Sequence, residues 1–376
     1  MRRELHRTSP DPAHQPPDRR AGWLPPGAPH RTRRVLAVTV VLLAVFVGRY
    51  WYAAAFQGNP ELGVSFSCRQ VRYLGNDCAT VYAALLDDVG VKHVRLSLYW
   101  SDVEPVQGRY DFAETDQLVR EASASGADVL LTIGIKAQRF PEVYMPAWLA
   151  QTSGLPQGTV LDGLPGVHDA TLAFVEAAVR HYAADSAVIG WQIENEPYIK
   201  NFQTINGWVI SPAMVAAEAE TVRREDYRHR PVVVTHSSWT VYDQNWKRAL
   251  QTGDVLGQNV FTKKAWIRNW WYFFPLEMGP FVPDLPGQAR ATKAKGKQFW
   301  ITELQAEPEE RRSLTDLDLS QVRSISPAIL DWNVAIARRS GATRVYLWGS
   351  EWWYAIRGKN PRLDMWSEAK RLFQGR

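Results

Sequence analysis

Eight short runs of β-branched and other apolar residues, separated by longer patterned stretches, constrain this chain more than any other feature. The runs are Leu62–Ser67, His93–Leu98, Asp128–Ile133, Ala187–Ile193, Pro231–Thr235, Asp254–Val260, Lys297–Thr302 and Arg344–Trp348. Between them, segments such as Val81–Val89, Thr115–Ser125, Ala170–Tyr182 and Leu330–Arg339 repeat apolar residues at spacings of three and four, as amphipathic helices do. Strands alternating with helices predict a parallel sheet with crossover connections. Eight such units within residues 57–376 fit a (β/α)8 barrel of the TIM type, whose usual size is about 250 residues plus insertions. An open doubly wound sheet would carry a glycine-rich phosphate turn after its first strand. Here Phe66-Ser67-Cys68-Arg69-Gln70 follows instead, and the barrel is the better reading. The long segments 134–169 and 261–296, rich in Trp, Pro and Gly, are then loop insertions on the functional face.

The first 34 residues read differently. They hold eight Arg against three acids and many Pro, with no helical or strand period, a composition too poor in apolar surface to order itself. Their net charge of +5 equals that of all 376 residues, so the remainder balances. The pI near 9.1 therefore describes the tail and not the folded part. A nucleic-acid footprint needs a basic face on the folded domain, and none is indicated. Residues 35–56 carry one charge, Arg49, and are about long enough to cross a hydrocarbon core. Arg31, Arg33 and Arg34 before them orient a single anchor with residues 1–34 in the cytoplasm and 57–376 outside. Arg49 beside Tyr50, Trp51 and Tyr52 suits the outer interface. The rival reading is a signal peptide: the apolar core Val35–Gly48 is short, and Ala53-Ala54-Ala55 offers a small-residue cleavage site. Either way the domain is expected outside the cytoplasm, membrane-attached or secreted. There Cys68 and Cys78 either pair in one disulfide or stay free thiols. Two cysteines build no metal cluster and the eight histidines show no ligand spacing, so no metal or other cofactor is expected.

The chemistry lies in two glutamates. Glu196, in Val188-Ile189-Gly190-Trp191-Gln192-Ile193-Glu194-Asn195-Glu196-Pro197, ends the fourth run; Glu303, in Gln298-Phe299-Trp300-Ile301-Thr302-Glu303, ends the seventh. Barrel enzymes draw their active-site residues from the carboxyl ends of the strands. Two carboxylates projected from different strands to one axial site are what glycosidic-bond cleavage uses, one as proton donor and one as nucleophile or base. Each glutamate alone could be an ordinary surface acid; their matched positions raise the pair above that reading. Glu194, Glu307 and Glu351 read as cleft-wall or surface acids.

These motifs resemble those of the clan of retaining (β/α)8 glycoside hydrolases that includes the cellulase-type and β-galactosidase-type families. Gln192-Ile193-Glu194-Asn195-Glu196 is similar to the β-galactosidase-type motif at strand four, and Glu303 to the clan's nucleophile at strand seven. The resemblance implies that Glu303 attacks the anomeric carbon and Glu196 serves as acid/base, with Asn195 on the sugar 2-hydroxyl. It implies that Arg95, in Val94-Arg95-Leu96, supports the nucleophile. Trp100, in the turn that runs to Pro105, and Trp348, at the eighth strand, are implied substrate contacts. His236, ending the fifth strand, is a further sugar contact in place of the histidine that the clan often carries after strand three. Phe261 stands where the clan often has a tyrosine. A carbohydrate is the implied substrate. A transglycosidase would use the same residues. A silent carbohydrate-binding barrel or a structural envelope protein would have no need of facing carboxylates.

Overall fold

All eight runs form strands, and each pairs in parallel with the next in the chain. The computed structural model describes residues 30–54, 58–149, 151–199, 207–238, 243–266, 270–273 and 283–375, without the side chains of His30, Phe46, 49–54 and 264–273. The strands are β1 Glu61–Ser65, β2 His93–Ser97, β3 Asp128–Ile133, β4 Val188–Ile193, β5 Val232–His236, β6 Val255–Val260, β7 Gln298–Gln305 and β8 Arg344–Trp348. The sheet closes where β1 pairs with β8, so no edge is left open. β7 runs two residues past Glu303, further than the sequence run suggests.

Amphipathic helices return the chain between strands. Val167–Tyr182 buries Phe174, Val175, Ala178 and Val179 on one side. Pro212–Glu225 and Pro327–Ser340 start alike. Ser211 and Ser326 accept the N–H of Met214 and Ile329, and a proline, whose missing N–H costs nothing in the first turn, follows. The apolar core lies mainly between these helices and the outer face of the strands, where Val94, Leu96, Leu131, Ile193, Val232 and Val234 are buried. Leu130, Val233, Val255, Trp300 and Tyr346 form a separate cluster from alternate positions of β3, β5, β6, β7 and β8. That alternation is how a small barrel fills its interior.

The insertion after β6 contains an antiparallel pair, Lys263–Trp266 with Trp270–Phe273, and the helix Leu285–Lys293. Near the first βα connection, Cys68 and Cys78 are joined in a disulfide with Cα atoms 5.2 Å apart.

The chain divides into two compact units, Met1–Val47 and Gly48–Arg376. The expected spanning anchor is not carried by the structure: among the described residues no helix is long and apolar enough to cross a membrane. A helix does run from His30 to Ala54. Its uncharged stretch between Arg34 and Arg49 is only 14 residues, about 21 Å of helix against a hydrocarbon core of about 30 Å. The expectations for residues 1–29 and for the side chains of Arg49, Tyr50, Trp51 and Tyr52 fall outside the described residues.

Cross-linking closes a loop of roughly ten residues in the unfolded chain, which stabilises the fold by about 2–3 kcal/mol. Cys68→Ser with Cys78→Ser is expected to melt several degrees below the oxidised wild type, and reduction of the wild type to give the same drop. An unchanged melting temperature in both would show that this link contributes nothing.

Candidate active site

Arg95 organises the mouth of the barrel. It projects from β2, is 0% exposed, and bonds to groups on three other strands or their ends. Nε donates to Gln192 Oε1 on β4 (2.6 Å), Nη1 to Ser65 Oγ on β1 (3.1 Å) and to Glu303 Oε1 on β7 (2.8 Å), and Nη2 to Asn195 Oδ1 (2.9 Å). A side chain that reaches β1, β4 and β7 at once has to lie on the barrel axis. Asn195, Arg95 and Glu303 are therefore brought together, and the ion pair fixes one face of the Glu303 carboxylate.

β7 is irregular where it carries Glu303. Against β6 the register runs Gln258 with Ile301 and then Asn259 with Glu303, and against β8 it shifts between Val345 and Leu347. Such an irregularity re-aims a side chain at the rim of a sheet. It sets Glu303 beside Asn259, whose Nδ2 donates to Glu196 Oε1 at 2.8 Å and whose Oδ1 accepts from Thr302 Oγ1 at 2.7 Å. One asparagine thus links the Glu196 carboxyl to Thr302, the residue before Glu303. Glu303 is 4% exposed. Burial pushes its pKa up to about 7; Arg95 pulls against this, and the nearby Glu196 adds to the rise.

The turn that holds Glu196 is strained and heavily bonded. Glu194 and Glu196 both have left-handed backbones, φ 56° and 49°, a conformation costing about 1–2 kcal/mol per non-glycine residue. Its hydrogen bonds offset that cost. The Glu194 carboxylate accepts from the N–H groups of Ile135 and Lys136, and its carbonyl accepts from Gln192 Nε2. Asn195 N–H donates to Lys136 O, Glu196 N–H to Thr235 Oγ1, and Lys136 Nζ to Glu196 O. The loop after β3 approaches closely enough that a Cβ on Gly134 (φ 116°) would lie 2.5 Å from Glu194 Oε1. Glycine is required there.

A second buried ion cluster adjoins Trp348. Arg139 Nη1 bonds Glu307 Oε1 and Nη2 bonds Glu351 Oε2 (2.7 Å), while its guanidinium lies 3.8 Å from the centroid of the Trp348 ring. Glu351 Oε1 also accepts from Ser67 N–H. Burial raises Glu351 to about 7, with Arg139 opposing. Glu194, Glu307 and Glu351 are all buried, so they are not surface acids: each holds loop backbone or a guanidinium in place. Trp348 is at the mouth but only 8% exposed, with Arg139 over one face of its ring.

Two sequence-selected residues lie elsewhere. Trp100 is 0% exposed, stacks on Phe174 at 5.2 Å and donates Nε1–H to Glu104. It is core of the β2 connection and presents no open ring to a sugar. His236 is likewise fully buried, with Nε2 against Asp243 at 3.0 Å and Nδ1 without a partner among the described residues. Asn259, Thr235, Gln192, Lys136 and Arg139 were not singled out by the sequence. Asn259 and Thr235 sit at strand ends, the one signal they offered. No group of three or more His, Cys, Asp or Glu among the described residues could hold a metal ion.

Known proteins resemble this chain in part of its sequence and most of its fold. The glycoside hydrolase family 42 model, β-galactosidase, matches residues 76–155. That stretch contains Arg95 but neither Glu196 nor Glu303. The β-galactosidase BgaA of Clostridium cellulovorans is 35% identical over 124 residues, which are 30% of this chain and 18% of that protein. Among solved structures, the exo-β-1,4-mannosidase Op5Man5 from Opitutaceae bacterium strain TAV5 superposes with a TM-score of 0.59 at 14% identity, covering 86% of this chain and 60% of its own. The β-galactosidase of the haloarchaeon Halorubrum lacusprofundi gives 0.53 at 14% identity, over 84% of this chain and 57% of its own. The chain thus spans under a fifth of the curated relative and about three fifths of these structures. It resembles glycoside hydrolases in sequence over the β2–β3 region, and shares their barrel fold.

Glu303 and Glu351 each have a folded-state pKa raised from 4.5 to about 7, chiefly by burial. A raised acid contributes stability that is complete below the unfolded pKa and is lost as pH rises through the folded one. The melting temperature is therefore expected to fall between about pH 5 and pH 8. Calorimetry showing a rise over that interval would contradict these burial-driven shifts.

Proposed function

We propose that this chain is a retaining hydrolase of β-linked glycosides, with Glu303 as nucleophile and Glu196 as acid/base. The observation that carries the reading is the single frame around both carboxyls: Arg95 on Glu303 and Asn259 on Glu196, at the carboxyl ends of strands four and seven. Arg95 supplies a fixed positive charge at Glu303, favouring the ionised form that attack on the anomeric carbon requires. Glu196, partly exposed and without an ion-pair partner among the described residues, is free to exchange its proton with the leaving oxygen and later with water. Asn195, oriented by Arg95, is in place to meet the sugar 2-hydroxyl. The resemblance to β-galactosidases and a β-mannosidase supports a β-linked substrate.

We further propose that the barrel works outside the cytoplasm. The Cys68–Cys78 disulfide supports this, since such links persist in oxidising compartments. The short apolar run Val35–Gly48 favours an export signal over a spanning anchor.

The roles separate by substitution. Glu303→Ala removes the group that forms and leaves the sugar–enzyme bond, so turnover is expected to vanish and added azide to restore it with inverted product. Glu196→Ala removes proton transfer, a loss of about 10²–10⁴-fold. That loss should shrink for dinitrophenyl glycosides, whose leaving group needs no proton, and azide should rescue with retained configuration. Reversed stereochemical outcomes would exchange the two roles. Unaltered activity in both variants would end the proposal.

A further inference from the structure

Beneath the acid/base turn lies a carboxyl group that the reaction does not use. Glu218, in the helix Pro212–Glu225 that leads from β4 to β5, is 0% exposed. No N–H or hydroxyl among the described residues donates to either of its oxygens. The group it meets is the carboxyl of Glu194, and both flank Gly134, whose missing Cβ leaves them room.

An ionised carboxylate wholly removed from water and without a donor would be several kcal/mol unfavourable. A neutral one becomes a donor itself. Glu194 is the acceptor, because its two oxygens already take the N–H groups of Ile135 and Lys136, an arrangement that stabilises the ionised form. The proton therefore belongs on Glu218. We propose that Glu218 is a neutral acid donating its proton to the Glu194 carboxylate, and that this shared proton is a positioning device for the Asn195–Glu196 turn. The inference rests on the role of Glu196 proposed above, but Glu218 itself never meets substrate.

The surrounding charges favour the same assignment. Asp162, beside the start of the same helix, adds negative potential at Glu218, and burial and Glu194 push its proton affinity well up. Lys136, from the loop after β3, faces Glu194 and stabilises its charge. Tyr198, after β4, senses both acids and has its own pKa raised to about 12, mainly by burial. Loss of the Glu218 proton would set two carboxylates against each other under a turn with two left-handed residues. Glu194 would be pushed from Ile135 and Lys136, and Glu196 would follow.

Glu218→Gln keeps a donor toward Glu194 and removes the titration; Glu218→Ala removes both. On dinitrophenyl β-glycosides, whose first step needs no proton from Glu196 but does use Asn195, wild-type kcat/KM is expected to fall at alkaline pH as the turn withdraws Asn195. Glu218→Gln should lose that alkaline limb while keeping kcat/KM within about threefold at neutral pH, and Glu218→Ala should lose about tenfold or more. Infrared difference spectra of wild type minus Glu218→Gln at neutral pH should show the carbonyl band of a neutral carboxylic acid. Absence of that band, or an alkaline limb unchanged in Glu218→Gln, would overturn the proposal. If Glu218→Gln does not fold, carboxyl-carbon NMR of the wild type decides: one glutamate must stay neutral to higher pH than every other. If the wild type cleaves no glycoside, the hydrolase reading fails, while the infrared or NMR result still tests the proton.

Discussion

The contact on which the rest of this site depends is the buried ion pair between Arg95 and Glu303. A guanidinium at the axis of a barrel is taken fully out of water, and it persists only if its donors are met in geometry that suits it. Arg95 meets that condition with Gln192, Ser65, Asn195 and Glu303. Because those partners belong to β1, β4 and β7 or their ends, the same contact that holds Glu303 also fixes the relative height of three strands. Removing one partner of such a pair typically costs about 3–5 kcal/mol. Fold and chemistry are here one interaction.

From that contact the frame spreads through short polar links. Asn195 follows Arg95, Glu196 follows Asn195 in the chain, and Asn259 returns from Glu196 to Thr302, next to Glu303. The strain at Glu194 and Glu196 belongs to this frame. A relaxed backbone would carry Glu196 away from Asn259, and the hydrogen bonds from the loop after β3 hold it against that tendency. Strain concentrated where a side chain has to be aimed is a common property of active sites.

The barrel was legible because each strand needs one run of apolar, β-branched residues, and seven of the eight runs end within two residues of the strands formed. That Glu196 and Glu303 come to one end of the barrel was legible because each ends a strand run, while Asn195 and Arg95 were singled out only by their resemblance to clan motifs. Burial was not legible. Trp100 looked like a sugar contact but fills the space beside Phe174, and Glu307 and Glu351 looked exposed but close on Arg139. A sequence states which residues can bond, while partners 168 and 212 positions apart are chosen by loop geometry. Asn259 illustrates the same limit: only the register shift in β7 sets it beside Glu303. The N-terminal segment failed for a different reason, because its total apolar length counted residues on both sides of Arg49.

Taken together, the mouth gathers Glu196, Glu303, Glu307 and Glu351 around two guanidiniums, Arg95 and Arg139, with Glu194 and Glu218 beneath. Carboxyl groups outnumber the buried positive charges, and like charges in a poorly solvated site cannot all ionise together. Some of these acids must therefore hold protons at neutral pH. The arrangement sorts which ones: carboxyls facing a guanidinium or backbone N–H groups are helped to ionise, and one facing only another carboxylate is not. Arg95 on Glu303 favours its charged form, whereas Glu218, facing the Glu194 carboxylate with no donor among the described residues, keeps its proton. The Glu196 carboxyl accepts from the neutral amide of Asn259 and makes no ion pair among the described residues. A group so placed can gain and release a proton without breaking an ion pair, which is the property an acid/base requires at both steps of a double displacement.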